Sequence, residues 1–128
     1  HVLSTVVDAG VAVGIVSDTS LATGRHLRKF LDHHGILDHV TFAAFSDEVG
    51  VYKPDPAIFH AAMDGLGADD PASITHVGDL KRTDVAGAQA LGMATVRFRG
   101  EFNDPEDGPE ADHVVDRLDQ IPAVLGLT

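Results

Sequence analysis

The sequence predicts an α/β fold on a mostly parallel sheet, and three observations predict it. Val11 to Val16 is almost continuously apolar, and Phe42 to Phe45, Ile74 to Val77 and Ala94 to Phe98 are further short runs rich in apolar residues. A run without a polar alternate suits a strand covered on both faces, which is the habit of parallel sheets. Segments with helical spacing precede and separate these runs, and glycines at Gly10, Gly35, Gly67 and Gly92 stand at the ends of those segments.

The elements follow in order. Val2 to Gly10 reads as a first helix stopped by Gly10, ahead of the Val11 to Val16 strand. Ser20 can cap a second helix running to about His34, with Leu27, Phe30 and Leu31 as its apolar stripe and Gly35 as its stop. Beyond the Phe42 to Phe45 strand, Asp55-Pro56 marks a helix start with a physical cause. The aspartate can accept backbone N–H bonds, and proline at the first helical position loses no donor that the helix needs. Ile58, Phe59, Ala62 and Leu66 then line one face before Gly67. Ile74 to Val77 is the next strand, Asp84 to Leu91 a helix closed by Gly92, and Ala94 to Phe98 another strand.

Arg99 to Asp112 breaks the rhythm with Gly100, Pro105, Gly108 and Pro109 among acidic residues, and reads as an exposed loop. Val114 and Val115 add a short strand, and Asp119 to Leu125 a last helix with Pro122 tolerated in its first turn. In such folds ligands sit beyond the carboxyl ends of the strands.

Composition narrows the function. The 128 residues, 44% of them hydrophobic, suffice for one domain with a real core, taken as residues 1–128. Twenty acidic against nine basic residues give a formal charge of −11, which repels a phosphate backbone and offers anionic lipid no basic segment. Nucleic acid and membrane are therefore excluded as expected partners. Without cysteine there is no thiol nucleophile, thiolate metal site or disulfide framework. No apolar stretch approaches the roughly 20 residues of a membrane span. The expectation is a soluble protein compatible with the cytoplasm.

Three loops at predicted strand ends carry polar residues that could converge: Ser17-Asp18, Lys53 and Gly78-Asp79. The run from Val77 to Asp84 (VGDLKRTD) is the most informative, because a glycine and two carboxylates five residues apart straddle a strand end and a helix start. Hard oxygen donors of this kind suit Mg²⁺, which is held by one or two carboxylates together with water and substrate phosphate. Mg²⁺ on Asp79, with Lys53, would offset the net negative charge toward a phosphorylated substrate, and Ser17 would add a hydroxyl donor. Singly these residues have plainer readings: Lys53 as a solvated surface lysine, Ser17 as a turn cap, Asp79 and Asp84 as acids at a helix start.

In order and at this spacing, Ser17 after an apolar strand, Lys53 in Y-K-P-D-P, and G-D-x-x-x-x-D at Gly78 to Asp84 resemble motifs two, three and four of the haloacid dehalogenase (HAD) superfamily. The flanks VYKPDPAIF (51–59) and DVAGAQALGM (84–93) are similar as well. The resemblance covers about Val2 to Leu125 and implies a Rossmann-like three-layer αβα core. It further implies that Ser17 hydrogen-bonds the transferring phosphoryl group, that Lys53 offsets charge on nucleophile and phosphoryl oxygens, and that Asp79 coordinates Mg²⁺. Asp84 would hold Lys53 or a metal-bound water. Asp18 stands where the family often has asparagine, a departure bearing on contacts to substrate or cap. Metal-independent dehalogenases of the superfamily usually read serine-asparagine in the Asp79 region, so a Mg²⁺-dependent phosphatase acting on a small phosphorylated substrate is favoured over a dehalogenase.

The family's nucleophile is the first aspartate of a D-x-D motif, and no D-x-D occurs in this sequence. The other residues can bind and position a phosphate ester but have nothing with which to form an aspartyl-phosphate. These residues alone are therefore expected to be inactive. The resemblance also places the missing strand centrally, between the Val11 to Val16 and Ile74 to Val77 strands. Its absence would leave buried backbone groups unpaired at about 1–3 kcal/mol each. A fragment of a longer hydrolase is the favoured explanation, since His1 begins abruptly at a helix; direct pairing of the two strands and self-association by strand exchange are the others.

Two further alternatives are a non-catalytic relative that retains phosphate or Mg²⁺ binding, and a zinc site from His26, His33, His34 and His39. The histidine spacing does not fit the usual ligand pairs. A flavodoxin-like or response-regulator-like chain would share the alternation but not Lys53 with the Gly78 to Asp84 motif. Substrate identity in the family rests largely on a cap, and these residues contain none.

Overall fold

Parallel strands with helical crossovers are what the chain forms. The computed structural model describes residues 1–127. Its helices and strands are α1 (Val2–Asp8), β1 (Gly14–Ser17), α2 (Gly24–His33), β2 (Phe42–Phe45), α3 (Ser46–Val49), α4 (Pro56–Leu66), β3 (Thr75–Gly78), α5 (Ala86–Ala90), β4 (Ala94–Phe98), β5 (His113–Val115) and α6 (Ile121–Val124). The chain divides into two compact units, one essentially Leu3–Gly67 and one beginning at Ala68. Every ladder among the described residues is parallel: β1 with β2 in the first unit, and β4 with β3 and β5 in the second.

In the first unit β1 and β2 run in register from Gly14 opposite Phe42 to Ser17 opposite Phe45. Helix α4 packs on both strands, and Ile58, Phe59, Ala62 and Met63 from it join Ala43, Ala44 and Phe45 in the core. Its start is as the sequence predicts, with Asp55 Oδ1 accepting the Ala57 N–H at 2.9 Å and Pro56 in the first turn. Its stop is Gly67, whose φ of 67° is the left-handed conformation that glycine adopts without strain.

In the second unit β4 is the middle strand. Thr95, Val96 and Arg97 are all buried, so this strand is covered on both faces. Val96, Val115 and Ile121 form a core cluster, with Phe98, Val124 and Leu125 packed against it. The last helical segment is a 3-10 turn at Leu118–Gln120 followed by α6, in place of one helix from Asp119.

Several expectations need correction. Strand β1 starts at Gly14 rather than Val11, because the Val11 N–H still donates to Val6 of the first helix and the ladder partner begins at Phe42. Nor is β1 covered on both faces; Gly14 is exposed and Ile15, Val16 and Ser17 are half-buried. Among the described residues β1 has a ladder partner on one side only, as has β3. Helix α2 begins at Gly24 without a Ser20 cap: the Gly24 N–H donates instead to Asp47 Oδ1 at 3.0 Å, a partner 23 residues away. Phe30 of the predicted apolar stripe is 59% exposed; its ring lies 4.5 Å from that of His34, the i+4 neighbour on the same helix face. Among the described residues no helix is long and apolar enough to cross a membrane.

The Asp55 cap gives a direct check. Asp55→Ala is expected to lower the unfolding free energy by about 1 kcal/mol, read as a shift of the urea midpoint at unchanged slope.

Candidate active site

In the first unit the site residues lie at the carboxyl end of the β1–β2 ladder. Ser17 is the last residue of β1, opposite Phe45. The chain leaving it is fixed by Thr19, which is buried. The Thr19 N–H donates to Ser46 Oγ at 2.7 Å, and its hydroxyl lies 2.9 Å from Ser46 Oγ and 3.1 Å from Asp47 Oδ1. The Asp47 N–H donates back to Thr19 Oγ1. The turn after β1 and the start of α3 thus close a small polar knot, which satisfies backbone groups that neither strand can pair.

Asp18 brings the Lys53 loop in. Its Oδ1 accepts the Lys53 N–H at 2.9 Å, and Lys53 leads through a cis peptide bond to Pro54 and the Asp55 cap of α4. Ser17, Asp18 and Lys53 are therefore brought together. An asparagine could accept the same bond through its own Oδ1, so the departure at Asp18 leaves this contact intact.

In the second unit Gly78 ends β3, Asp79 follows it, and a π-helical turn at Lys81–Val85 leads into α5. This replaces the predicted helix from Asp84. Asp84, 3% exposed, is the residue around which the turn is built. Its Oδ1 lies 2.9 Å from His76 Nε2 and its Oδ2 accepts the Leu80 N–H at 3.1 Å. A Cβ on Gly78 would stand 2.2 Å from Asp84 Cγ, which is why only glycine fits ahead of Asp79.

Asp79 is half-buried, and among the described residues its carboxylate makes no hydrogen bond or ion pair. No cluster of three or more His, Asp or Glu able to hold a metal occurs among the described residues. Such a cluster is what a cation caged by protein ligands needs; Mg²⁺ needs one or two carboxylates and keeps its waters. Asp79, a hard oxygen donor at a strand end and without a protein partner among the described residues, fits that requirement.

The loop between β4 and β5 braces this region, and the expectation of a merely exposed segment was too simple. Arg97 of β4, 3% exposed, makes a bidentate pair with Glu110 at 2.8 and 3.0 Å and donates to Asn103 Oδ1 at 3.0 Å. Buried Asp104 accepts the Lys81 N–H at 2.8 Å, two residues beyond Asp79. Arg82 Nε donates to the Asp107 carbonyl. The loop's acids had partners that composition could not reveal. Thr19, Ser46, Asp47 and His76 were also not singled out from sequence; a histidine inside the Ile74 to Val77 run was the one visible signal.

The haloacid dehalogenase-like hydrolase family profile matches residues 1–92. Haloacid dehalogenase-like hydrolase domain-containing protein 3 of Danio rerio is 33% identical over 91% of this chain and 46% of its own length. Glyceraldehyde 3-phosphate phosphatase of Methanopyrus kandleri is 42% identical over 62% of this chain and 36% of its own. Among solved structures, an HAD phosphatase from Thermococcus onnurineus superimposes with a TM-score of 0.83 at 29% identity, covering 98% of this chain and 55% of that one. The chain belongs to the haloacid dehalogenase-like hydrolase family and has its Rossmann-like α/β fold. It spans about half the length of the Danio rerio relative.

The Arg97 pair carries a pH signature. Hydrogen bonding from the Arg97 guanidinium holds the Glu110 carboxyl down at about 2, against 4.5 ordinarily, with partial burial opposing it. A depressed carboxyl stabilises the fold above its unfolded value and loses that contribution as pH falls through the folded one. Wild type is thus expected to be more stable than Glu110→Gln above pH 4.5, with the gap closing as pH falls toward about 2, read from urea midpoints across that range.

Proposed function

We propose that this chain supplies the phosphoryl-binding and metal-binding part of a Mg²⁺-dependent phosphatase acting on a small phosphate ester, with the nucleophilic aspartate outside these 128 residues. The observation that carries the reading is Asp79, an acid without a protein partner among the described residues, set directly after β3 by Gly78 and a turn built on Asp84. The phosphatases among its relatives support it. So does the serine, lysine and aspartate order of Ser17, Lys53 and Asp79, each at or beyond the end of a strand.

In this reading the Ser17 hydroxyl donates to a phosphoryl oxygen, and the Lys53 ammonium offsets negative charge on nucleophile and phosphoryl group. Asp79 would hold Mg²⁺, which when bound neutralises charge on the phosphoryl oxygens. Asp84 keeps the turn that follows Asp79 in place. Catalysis is then positioning and electrostatics, with the covalent step belonging to the absent aspartate. The lack of a D-x-D motif favours one second reading, a non-catalytic relative that binds phosphate or Mg²⁺.

The test is hydrolysis of p-nitrophenyl phosphate, with and without Mg²⁺, by the protein expressed from its whole reading frame. Mg²⁺-dependent release of phosphate supports the phosphatase. Binding of Mg²⁺ without turnover supports the second reading, and metal-independent halide release from a 2-haloacid would overturn both. Asp79→Asn is expected to abolish Mg²⁺-dependent turnover without changing the unfolding midpoint; retained metal dependence removes Asp79 as the ligand. Lys53→Ala is expected to cut kcat/KM by a factor of about 100 or more, the scale of losing one stabilising charge. Full activity in that variant returns Lys53 to the surface.

A further inference from the structure

Each oxygen of the Asp84 carboxylate meets a donor from a residue close to Asp79, and these two residues flank Asp79 in the chain. His76, from within β3, meets Oδ1; the Leu80 N–H, from the turn, meets Oδ2. A carboxylate held at both oxygens cannot rotate without giving up one bond. It therefore ties the strand before Asp79 to the turn after it.

An ionised carboxylate only accepts, so Nε2 carries the hydrogen of the His76 bond. The pair is largely shielded, with the His76 and Asp84 side chains 12% and 4% exposed, and in such surroundings the bond is stronger than in water. Gly78 lies under the carboxyl group with no room for a side chain. His76, Gly78, Leu80 and Asp84 together leave the backbone at Asp79 little freedom.

We propose that His76 is a positioning residue for the phosphoryl-transfer reaction, holding Asp84 so that the turn bearing Asp79 keeps one geometry. The inference rests on the phosphatase reading above. A plain structural role would make His76 matter for stability and leave turnover unchanged in any variant that folds.

Two variants of the protein expressed from its whole reading frame separate these roles. His76→Gln places an amide N–H near the position of Nε2, whereas His76→Leu keeps bulk without a donor. With p-nitrophenyl phosphate and Mg²⁺, His76→Leu is expected to lose roughly 10- to 100-fold in kcat, the usual effect of removing an outer partner at a metal site, with KM for the ester little changed. His76→Gln is expected to recover most of that loss. A folded His76→Leu protein with wild-type kcat overturns the proposal, even if its unfolding midpoint has dropped. Should His76→Leu fail to fold, His76→Asn, whose amide is too short to replace Nε2, takes its place: a kcat loss there with near wild-type kcat in His76→Gln supports the proposal, and a folded Asn variant with wild-type kcat overturns it. Wild type that hydrolyses no phosphate ester overturns the phosphatase reading and this inference with it, and that result needs no variant.

Discussion

A carboxylate cannot be taken out of water without donors to replace the water, and Asp84 is the place where this constraint is met. Donors to it come from β3 and from the turn that follows, so strand and turn both help to offset the cost of burying the acid. Gly78 must be bare for the acid to sit there at all. The chain then enters α5 through a π-helical turn instead of a regular one, a distortion that short π segments at functional sites often show. Asp79 inherits its position from this arrangement without contributing to it.

The first unit meets the same need with different chemistry. Where a parallel strand ends, its backbone groups require partners that the ladder no longer provides. After β1 these are hydroxyls and an acid from the far end of β2, Ser46 and Asp47, meeting Thr19. Asp47 also serves the first backbone N–H of α2, so one side chain orders a loop and starts a helix. The groups satisfied there are mainly backbone N–H dipoles, met by two hydroxyls and the Asp47 carboxylate; in the second unit it is a buried acid that needs donors.

Much of this was legible in the residues, and what was not has a common cause. The strands β2 and β4 match their expected limits because their pairing partners and their apolar runs coincide. The start of α4 is local chemistry, an acid and a proline side by side, and so could be read directly. The start of α2 could not, because its cap comes from Asp47, 23 residues on. The apolar run before β1 outlasts its ladder, since a strand exists only where a neighbour does. Ser17, Lys53 and Asp79 stood out as polar residues at or after predicted strand ends, whereas His76 lies inside a predicted strand, and only the placement of Asp84 shows what it faces. The acidic loop looked solvated because charge density is visible in a sequence and a buried arginine beneath it is not.

That loop also shows where the chain can be altered. Asn103, Asp104, Asp107 and Glu110 are tied to Arg97, Lys81 and Arg82, while Gly100 lies against the Asp116 carbonyl with no space for a side chain. Between these anchors Glu101 and Phe102 are exposed, and among the described residues their side chains make no hydrogen bond. A peptide tag or a fluorophore-bearing cysteine inserted at that dipeptide would leave the Arg97 latch and the Lys81 turn untouched. The same addition a few residues later would pull on the backbone beside Asp79, so the most glycine- and proline-rich stretch of the chain offers a narrow labelling site instead of a broad one.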